Sequence, residues 1–237
     1  MTVLVLAGTS EARQLVAALV DDGVEVLASL AGRTSDALPL ACTTRVGGFG
    51  GVDGLVRELE ERGVTALVDA THPFADTMPL HARDAAARAG VPHLRLLRVA
   101  WHPEAGDEWT EVADERAAAS SLIGGERALL ALGRQALAPF TTRVDVDLVV
   151  RSVDAPPPGP WVDVLLGRGP FSYDDERAVL RDRRIEVLVT RNSGGSRAKL
   201  DAARDEGVRV VMIRRPLAPD LPTVADVAAA RSWVQST

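Results

Sequence analysis

The sequence predicts an α/β fold in two halves, each a mainly parallel sheet flanked by helices. Short apolar runs alternate with amphipathic segments, glycine follows most amphipathic segments, and the alternation breaks once, at residues 98–114, before it resumes. Continuous apolar runs are typical of strands buried in parallel sheets, and glycine commonly ends helices. We therefore expect two domains, at residues 1–98 and 99–237.

The first half begins with a strand, a helix and a second strand. Residues 3–6 are apolar, residues 12–20 repeat apolar side chains at helical spacing, and Gly23 ends that pattern before the apolar run 24–30. This order is a βαβ unit, which favours a parallel sheet. The later elements of this half are predicted strands at 44–46, 64–70 and 91–97 and helices at 52–62 and 75–89.

The second half follows a segment rich in tryptophan, proline and glycine at 98–114, which is typical of a domain junction. The α/β alternation then resumes, with a short helix expected after Gly133. The predicted strands are 127–132, 143–150, 161–166, 185–190 and 208–213, and the predicted helices are 117–122, 174–183, 197–206 and 224–234.

Composition narrows the function classes. With 237 residues, 46% of them hydrophobic, and a net charge of -6, the chain is an ordinary globular protein and a poor candidate for general nucleic-acid binding. Cys42 is the single cysteine, so no intramolecular disulfide is expected, and the four histidines lack zinc-ligand spacing, so no metal is expected. Without a signal peptide or a long apolar run, we expect a cytoplasmic protein with no membrane partner.

The first strand-to-helix turn carries Gly8, Thr9 and Ser10. Main-chain N–H groups and the positive end of a helix favour a phosphate there, and glycine allows close approach of the backbone. A tight turn with Ser10 as the N-cap is the alternative. The full dinucleotide fingerprint is not present. Gly47 and Gly48, after the third strand, are assigned to the same cofactor site.

The end of the second strand carries Ser29, Arg33 and Thr34 and no acidic residue. Enzymes that use NAD usually place an acid here to bind the ribose 2′-hydroxyl, whereas hydroxyls and an arginine suit a 2′-phosphate. The sequence therefore favours NADP over NAD, although Arg33 is also one of many surface arginines in this chain.

Thr71, His72 and Pro73 follow the strand predicted at 64–70. Ligands of open α/β sheets bind beyond the carboxyl ends of strands, so these residues are expected near the reacting end of a dinucleotide. A purely structural histidine is the alternative.

The second half carries a polar, glycine-rich loop between a strand and a helix, at residues 190–199. It contains Lys199, the single lysine among 27 basic residues, and it resembles an anion-binding loop. Further polar residues lie at or near predicted strand ends. The expected binding residues for an anionic substrate are Arg134, Gln135, Arg168, Ser172, Thr190, Arg191, Asn192, Ser193, Gly194, Lys199 and Arg214.

Five sequence blocks resemble those of the precorrin-6A reductase family. They are LAGTSEAR (6–13), VDATHPFA (68–75), RGPFS (168–172), TRNSGG (190–195) and VMIRRP (211–216). The resemblance covers nearly the whole chain. It implies two Rossmann-like halves with the active site in the cleft between them, and reduction of one double bond of precorrin-6A by NADPH, giving precorrin-6B in cobalamin biosynthesis.

The resemblance also implies a tetrapyrrole polycarboxylate as substrate, and it leaves room for transient contact with neighbouring pathway enzymes. His72 is the side chain expected to donate the proton, with a water molecule or the substrate's own groups as the alternative.

Other functions stay open at this point. They include a cobalt-precorrin-6A reductase, a non-catalytic NADP-binding sensor, and a sugar- or nucleotide-binding regulatory module. A reductase of another carbonyl or enone is a further alternative. The short-chain type of such enzymes is disfavoured, because Tyr173 is followed four residues later by Arg177 rather than by lysine.

Overall fold

The computed structural model describes residues 1–32, 39–217 and 219–237. These ranges contain twelve strands and seven α-helices. In chain order, the strands are β1 (Thr2–Ala7), β2 (Glu25–Leu30), β3 (Thr43–Val46), β4 (Val64–Ala70), β5 (His93–Leu96), β6 (Trp109–Val112), β7 (Arg127–Ala131), β8 (Asp147–Ser152), β9 (Trp161–Leu166), β10 (Val187–Arg191), β11 (Arg209–Ile213) and β12 (Thr223–Val224). The helices are α1 (Ser10–Asp21), α2 (Val52–Glu61), α3 (Met78–Ala89), α4 (Glu115–Ser120), α5 (Tyr173–Asp182), α6 (Ala198–Asp205) and α7 (Val227–Ser236).

The chain forms two compact units. The first contains Met1–Val99 together with Pro216–Thr237, and the second contains Ala100–Arg215. Each unit holds one six-stranded sheet whose neighbouring strands are all parallel. The predicted α/β class with parallel sheets flanked by helices is therefore confirmed.

In the first unit the strand order is β12-β5-β4-β1-β2-β3. The chain moves outward from β1 through β2 to β3, and it then returns to form β4 on the other side of β1. The strand order thus reverses between β1 and β4, and such a switch point is where ligands bind in open α/β sheets.

Helices cover both faces of this first sheet. Leu15 and Leu19 of α1 are buried in the core cluster of one face, and Leu55 and Leu59 of α2 are buried in that of the other. Val234 of α7 is buried in the same cluster as Leu15 and Leu19. Both sheet faces are therefore shielded, which explains why the central strands of this sheet are mostly apolar.

The C-terminal segment differs from the predicted domain 99–237. Residues 216–237 belong to the first unit, because β12 pairs with β5 and α7 packs against α1. Arg231 of α7 also forms an ion pair with Asp22 after α1. Nothing in the local sequence of α7 specifies which sheet its apolar face covers.

The second sheet has the order β6-β11-β10-β7-β8-β9, with its reversal between β7 and β10. Its edge strand β6 lies within the segment 98–114 that was predicted to be irregular. Leu180 of α5 and Leu200 of α6 are buried in the core cluster on one face of this sheet.

Three predicted elements begin at least three residues later than expected. Helix α7 begins at Val227 rather than at residue 224, because residues 223–224 form strand β12. Helix α3 begins at Met78 rather than at residue 75, because Ala75 N donates to His72 O at 2.7 Å and closes a turn there. Strand β8 begins at Asp147 rather than at residue 143, because Arg143 N donates to Phe140 O at 3.1 Å. Within the described residues, no helix combines the length and apolarity needed to span a bilayer.

Candidate functional site

The turn between β1 and α1 is held by Thr9. Its hydroxyl accepts a hydrogen bond from Ala12 N at 3.1 Å, which makes Thr9 the N-cap of α1, and it donates to Ala70 O at 3.1 Å. The alternative that placed Ser10 at the N-cap is therefore wrong. Because the Thr9 hydroxyl has both of these partners, an anion at this turn would be bound by main-chain N–H groups rather than by this side chain.

The turn also lies very close to the loop after β4. A Cβ added to Gly8 would lie 3.2 Å from His72 N and 3.4 Å from Thr71 Cα. Gly8 and Ser10 are exposed. The structure thus brings the predicted Gly8 turn together with Thr71 and His72 at the switch point of the first sheet.

A buried carboxylate holds the loop after β4. Asp69 is fully buried, and its Oδ1 accepts hydrogen bonds from Thr71 N at 3.0 Å and from Thr71 Oγ1 at 2.6 Å. Arg95 on β5 is also buried, and its Nε lies 3.6 Å from Asp69 Oδ2. Burial lowers the pKa of Arg95, and the charge of Asp69 partly offsets this effect. The sequence alone indicated no role for Asp69 or Arg95.

His72 has a defined hydrogen-bonding state. Its Nδ1 accepts a hydrogen bond from Phe74 N at 3.2 Å. In a neutral imidazole one nitrogen accepts and the other carries the proton, so the proton of His72 lies on Nε2. Nε2 of the neutral ring can donate a hydrogen bond to a ligand, whereas transfer of a proton to carbon requires the imidazolium form.

A small pocket at this edge contains an ion pair. Arg98 Nη1 donates to both carboxylate oxygens of Glu11, at 3.2 and 3.0 Å, and Ser10 Oγ donates to Glu11 at 3.0 Å. Burial raises the pKa of Glu11, but the Glu11 main-chain N–H, Arg98 and Ser10 together lower it below its ordinary value. The pocket also includes Thr71 and Pro73.

Ser29, at the end of β2, is buried and accepts a hydrogen bond from Arg45 Nη1 at 2.9 Å. The same guanidinium donates to Gly47 O at 3.0 Å and to Gly48 O at 3.1 Å. It also lies 3.9 Å from the centre of the Phe49 ring. Arg45 was missed in the sequence, although its place before two glycines at a strand end was a usable signal. The predicted residues Arg33 and Thr34 lie outside the described residues.

In the second unit, the loops after β7 and β10 flank the switch point. Arg134 and Gln135 follow β7, whereas Asn192, Ser193 and Gly194 follow β10. Arg168 after β9 and Arg214 after β11 lie at the same edge, because all of these strands are parallel. The second sheet therefore places the predicted anion-binding residues along its carboxyl edge.

Three of the predicted arginines have acidic neighbours, so the local positive charge is partly neutralised. Arg191 Nε donates to Glu115 at 2.8 Å. The other two pairs are Arg134 with Asp154 at 3.7 Å and Arg214 with Glu111 at 3.2 Å.

The glycine-rich loop after β10 is anchored to Trp101. Asn192 Oδ1 accepts from Trp101 N at 2.8 Å, and Asn192 Nδ2 donates to Trp101 O at 2.9 Å. The indole of Trp101 donates to Gly195 O at 2.9 Å, and Lys199 Nζ lies 5.4 Å from its ring centre. Asn192 was predicted to bind substrate, and in the structure its side chain holds the main chain of Trp101. Trp101 was read only as part of a junction.

Two further predicted substrate residues have side chains that are buried or already hydrogen-bonded within the protein. Thr190 is 1% exposed and lies within β10. Ser172 is the N-cap of α5, where its hydroxyl accepts from Asp175 N at 3.1 Å and donates to the Asp175 carboxylate at 2.7 Å. The sequence showed hydroxyls near strand ends but not the neighbours that bind them.

Comparison with known proteins gives a consistent result along the whole chain. A family model described as "Precorrin-6x reductase CbiJ/CobK" matches residues 2–235. The chain is 47% identical to "Precorrin-6A reductase" of Rhodococcus erythropolis, over 98% of this chain and 96% of that protein. It is 31% identical to "Cobalt-precorrin-6A reductase" of Priestia megaterium, over 90% of each. A solved structure described as "CobK precorrin-6A reductase" superposes with a TM-score of 0.95 and 39% identity, over 100% of this chain and 96% of that one.

Proposed function

Because this chain belongs to the precorrin-6x reductase family, it is an oxidoreductase, and we propose that it reduces precorrin-6A to precorrin-6B in cobalamin biosynthesis with NADPH. The observation that carries this proposal is the similarity to the Rhodococcus protein over almost the full length of both chains. The proposed substrate is the metal-free macrocycle, because identity falls from 47% to 31% for the cobalt-precorrin-6A reductase of Priestia megaterium. We also propose that the enzyme acts in the cytoplasm.

The residues of the first unit fit a dinucleotide. Gly8 is exposed and has no side chain, so a pyrophosphate can approach the N–H groups at the start of α1. The Glu11 carboxylate lies at the same helix end, and Arg98 offsets its charge. Ser29, Arg33 and Thr34 are the proposed readers of the 2′-phosphate, and Arg45 holds the hydroxyl oxygen of Ser29. Gly47 and Gly48 belong to the same proposed site.

When bound, NADPH supplies the hydride for reduction of a double bond. The protein must also deliver a proton to the neighbouring carbon of the substrate. His72 is the proposed donor, because it lies beside Gly8 at the switch point of the first sheet, and it would give up the proton from its imidazolium form. A water molecule or a group of the substrate is the alternative donor.

The second unit is proposed to bind the carboxylates of the macrocycle. Arg134, Arg191 and Arg214 each contact a protein carboxylate, and a carboxylate of the macrocycle would be a partner of the same chemical type. Arg168, Gln135 and Lys199 add polar side chains at the same sheet edge. The main-chain N–H groups of Ser193 and Gly194 are proposed as further donors, since Trp101 and Asn192 hold this loop in place.

The function is tested by following NADPH oxidation at 340 nm with purified protein and precorrin-6A, and by repeating the assay with NADH. We expect turnover with NADPH and much slower turnover with NADH. Arg33→Ala should raise KM for NADPH and leave KM for NADH nearly unchanged, because the arginine is assigned to the 2′-phosphate alone. Folded protein that oxidises neither cofactor contradicts the proposal, and cobalt-precorrin-6A is then the next substrate.

A further inference from the structure

The hydroxyl of Thr71 donates its proton in a hydrogen bond to the buried carboxylate of Asp69. Thr71 Oγ1 lies 2.6 Å from Asp69 Oδ1, and Thr71 N lies 3.0 Å from the same oxygen. Asp69 is fully buried, and the nearby Arg95 guanidinium provides the positive charge that a buried carboxylate requires. An ionised carboxylate only accepts hydrogen bonds, so the Thr71 hydroxyl must donate to it.

This arrangement fixes what Thr71 can offer to a ligand. A threonine hydroxyl has one proton and two lone pairs, and here the proton is directed to Asp69. The hydroxyl therefore presents lone pairs alone on its other side. It can accept a hydrogen bond from an N–H or O–H group, whereas an ionised phosphate or a carbonyl oxygen offers it nothing.

The surroundings of Thr71 favour a group that bears an N–H or O–H and has an apolar body. Its pocket also contains Pro73, Leu96 and Leu97, which are apolar, and the ion pair of Glu11 with Arg98, whose opposite charges offset each other. The pocket lies at the carboxyl ends of β1, β4 and β5, next to the predicted proton donor His72. Adenine and the nicotinamide carboxamide both carry an NH₂, but the adenosine half is assigned to the end of β2 through its 2′-phosphate, so the group that reaches the pocket beyond β4 and β5 is the carboxamide-bearing ring.

The geometry points to Thr71 as the acceptor for the carboxamide NH₂ of the nicotinamide, with Asp69 and Arg95 as positioning residues that hold its hydroxyl in the accepting orientation. This inference rests on the proposed use of NADP. It adds a specificity for the carboxamide to a site that was so far argued from phosphate recognition alone.

The test compares two ligands in binding, without turnover. One is NADP⁺, and the other is its 3-acetylpyridine analogue, in which a methyl group replaces the carboxamide NH₂. Isothermal titration should show that the unmodified protein binds NADP⁺ about three- to tenfold more tightly than the analogue, which is the worth of one net hydrogen bond. Thr71→Val keeps the shape and loses the acceptor, so it should bind both ligands equally. Thr71→Ser keeps the hydroxyl and should restore the preference for NADP⁺.

Asp69→Asn tests the positioning role separately. The amide no longer requires the Thr71 proton, so the preference for NADP⁺ should fall while binding of the analogue stays within about twofold, because one hydrogen bond alone is affected. A preference for NADP⁺ that persists in Thr71→Val overturns the inference. Equal weakening of both ligands in Thr71→Val also overturns it, and indicates a ribose hydroxyl as the donor. If the folded, unmodified protein binds neither ligand, the proposed use of NADP fails, and this inference fails with it.

Discussion

Replacing Gly8 by alanine should disturb the candidate cofactor site without unfolding the protein. The added Cβ would lie 3.2 Å from His72 N, 3.4 Å from Thr71 Cα and 3.6 Å from Thr71 C. All three are main-chain atoms that directly follow the buried strand β4. No flexible side chain can therefore turn away, and the loop itself must shift by a few tenths of an ångström.

The cost of this shift follows from the packing. Adding one methyl group to a tightly packed place typically costs about 1–3 kcal/mol. In a protein of this size that loss corresponds to a decrease in Tm of roughly 2–12 °C. The Kd for NADPH should also rise, because the displaced loop carries Thr71 and His72 and because the methyl group obstructs the turn where the pyrophosphate is proposed to bind.

The assay is thermal unfolding followed by circular dichroism, together with titration calorimetry of NADPH. Gly48→Ala is the matched control for stability, because its added Cβ meets no atom within 4 Å among the described residues. Its Tm should stay within about 2 °C of the unmodified protein, as a substitution in open space has little effect. If Gly8→Ala shows unchanged Tm and unchanged NADPH affinity, the close approach of the two loops does not constrain the site.

Three further predictions concern single residues. Arg45→Ala should lower the preference for NADPH over NADH, because Ser29 loses the guanidinium that holds it, and a ratio of Kd values equal to that of the unmodified protein would contradict this. Burial lowers the pKa of His93, although the charge of the nearby Asp69 carboxylate partly offsets this. The fold therefore favours the neutral ring, so the contribution of His93 to the free energy of unfolding is complete above a pH of about 6.5 and falls as the pH drops below that value. His93→Leu should reduce this loss between pH 7.5 and 5.5, as measured by urea midpoints, and an equally large loss in the variant would argue against His93 as its source. Asn192→Ala should destabilise the second unit by about 2–4 kcal/mol, because the buried N–H and C=O of Trp101 both lose their partner, and an unchanged urea midpoint would refute this reading.

The sequence was sufficient to predict the strands and helices whose residue composition reflects their burial. Strands β1 and β4 are almost entirely buried and consist mostly of apolar residues, which made them recognisable. Strand β6 has four residues at a sheet edge, none of them fully buried, so it carries no such signal. Strand β12 has two residues and exists because β5 lies beside it.

The candidate site was predictable in position but not in the use of its side chains. Glycines and hydroxyls after apolar runs indicated the right sheet edges, because the carboxyl ends of parallel strands meet at one edge. Which neighbour takes each hydrogen bond depends on residues far away in the chain. Thr9 binds Ala70 O, and Asn192 binds Trp101, across 61 and 91 residues respectively. Local spacing carries no information about such pairs.

The buried pair of Asp69 and Arg95 could not be predicted from local sequence either. Each residue lies in a predicted strand and could have been read as an exposed charge at a strand end. Their burial becomes apparent only when β4 and β5 are paired in register, with Asp69 opposite Arg95. A role for Thr71 as an acceptor follows from that pairing and from nothing in the local motif.

The split composition of the first unit has a consequence for how the chain folds while it is being synthesised. All six strands of the second sheet lie within Ala100–Arg215, so that unit has every strand it needs once residue 215 has left the ribosome. Synthesis of the first unit begins earlier, but at that point β12 and α7 have not yet been made. The apolar side chains of α1 therefore still lack Val234, which packs in the same core cluster. The order in which the two units are completed is therefore the reverse of the order in which they are begun.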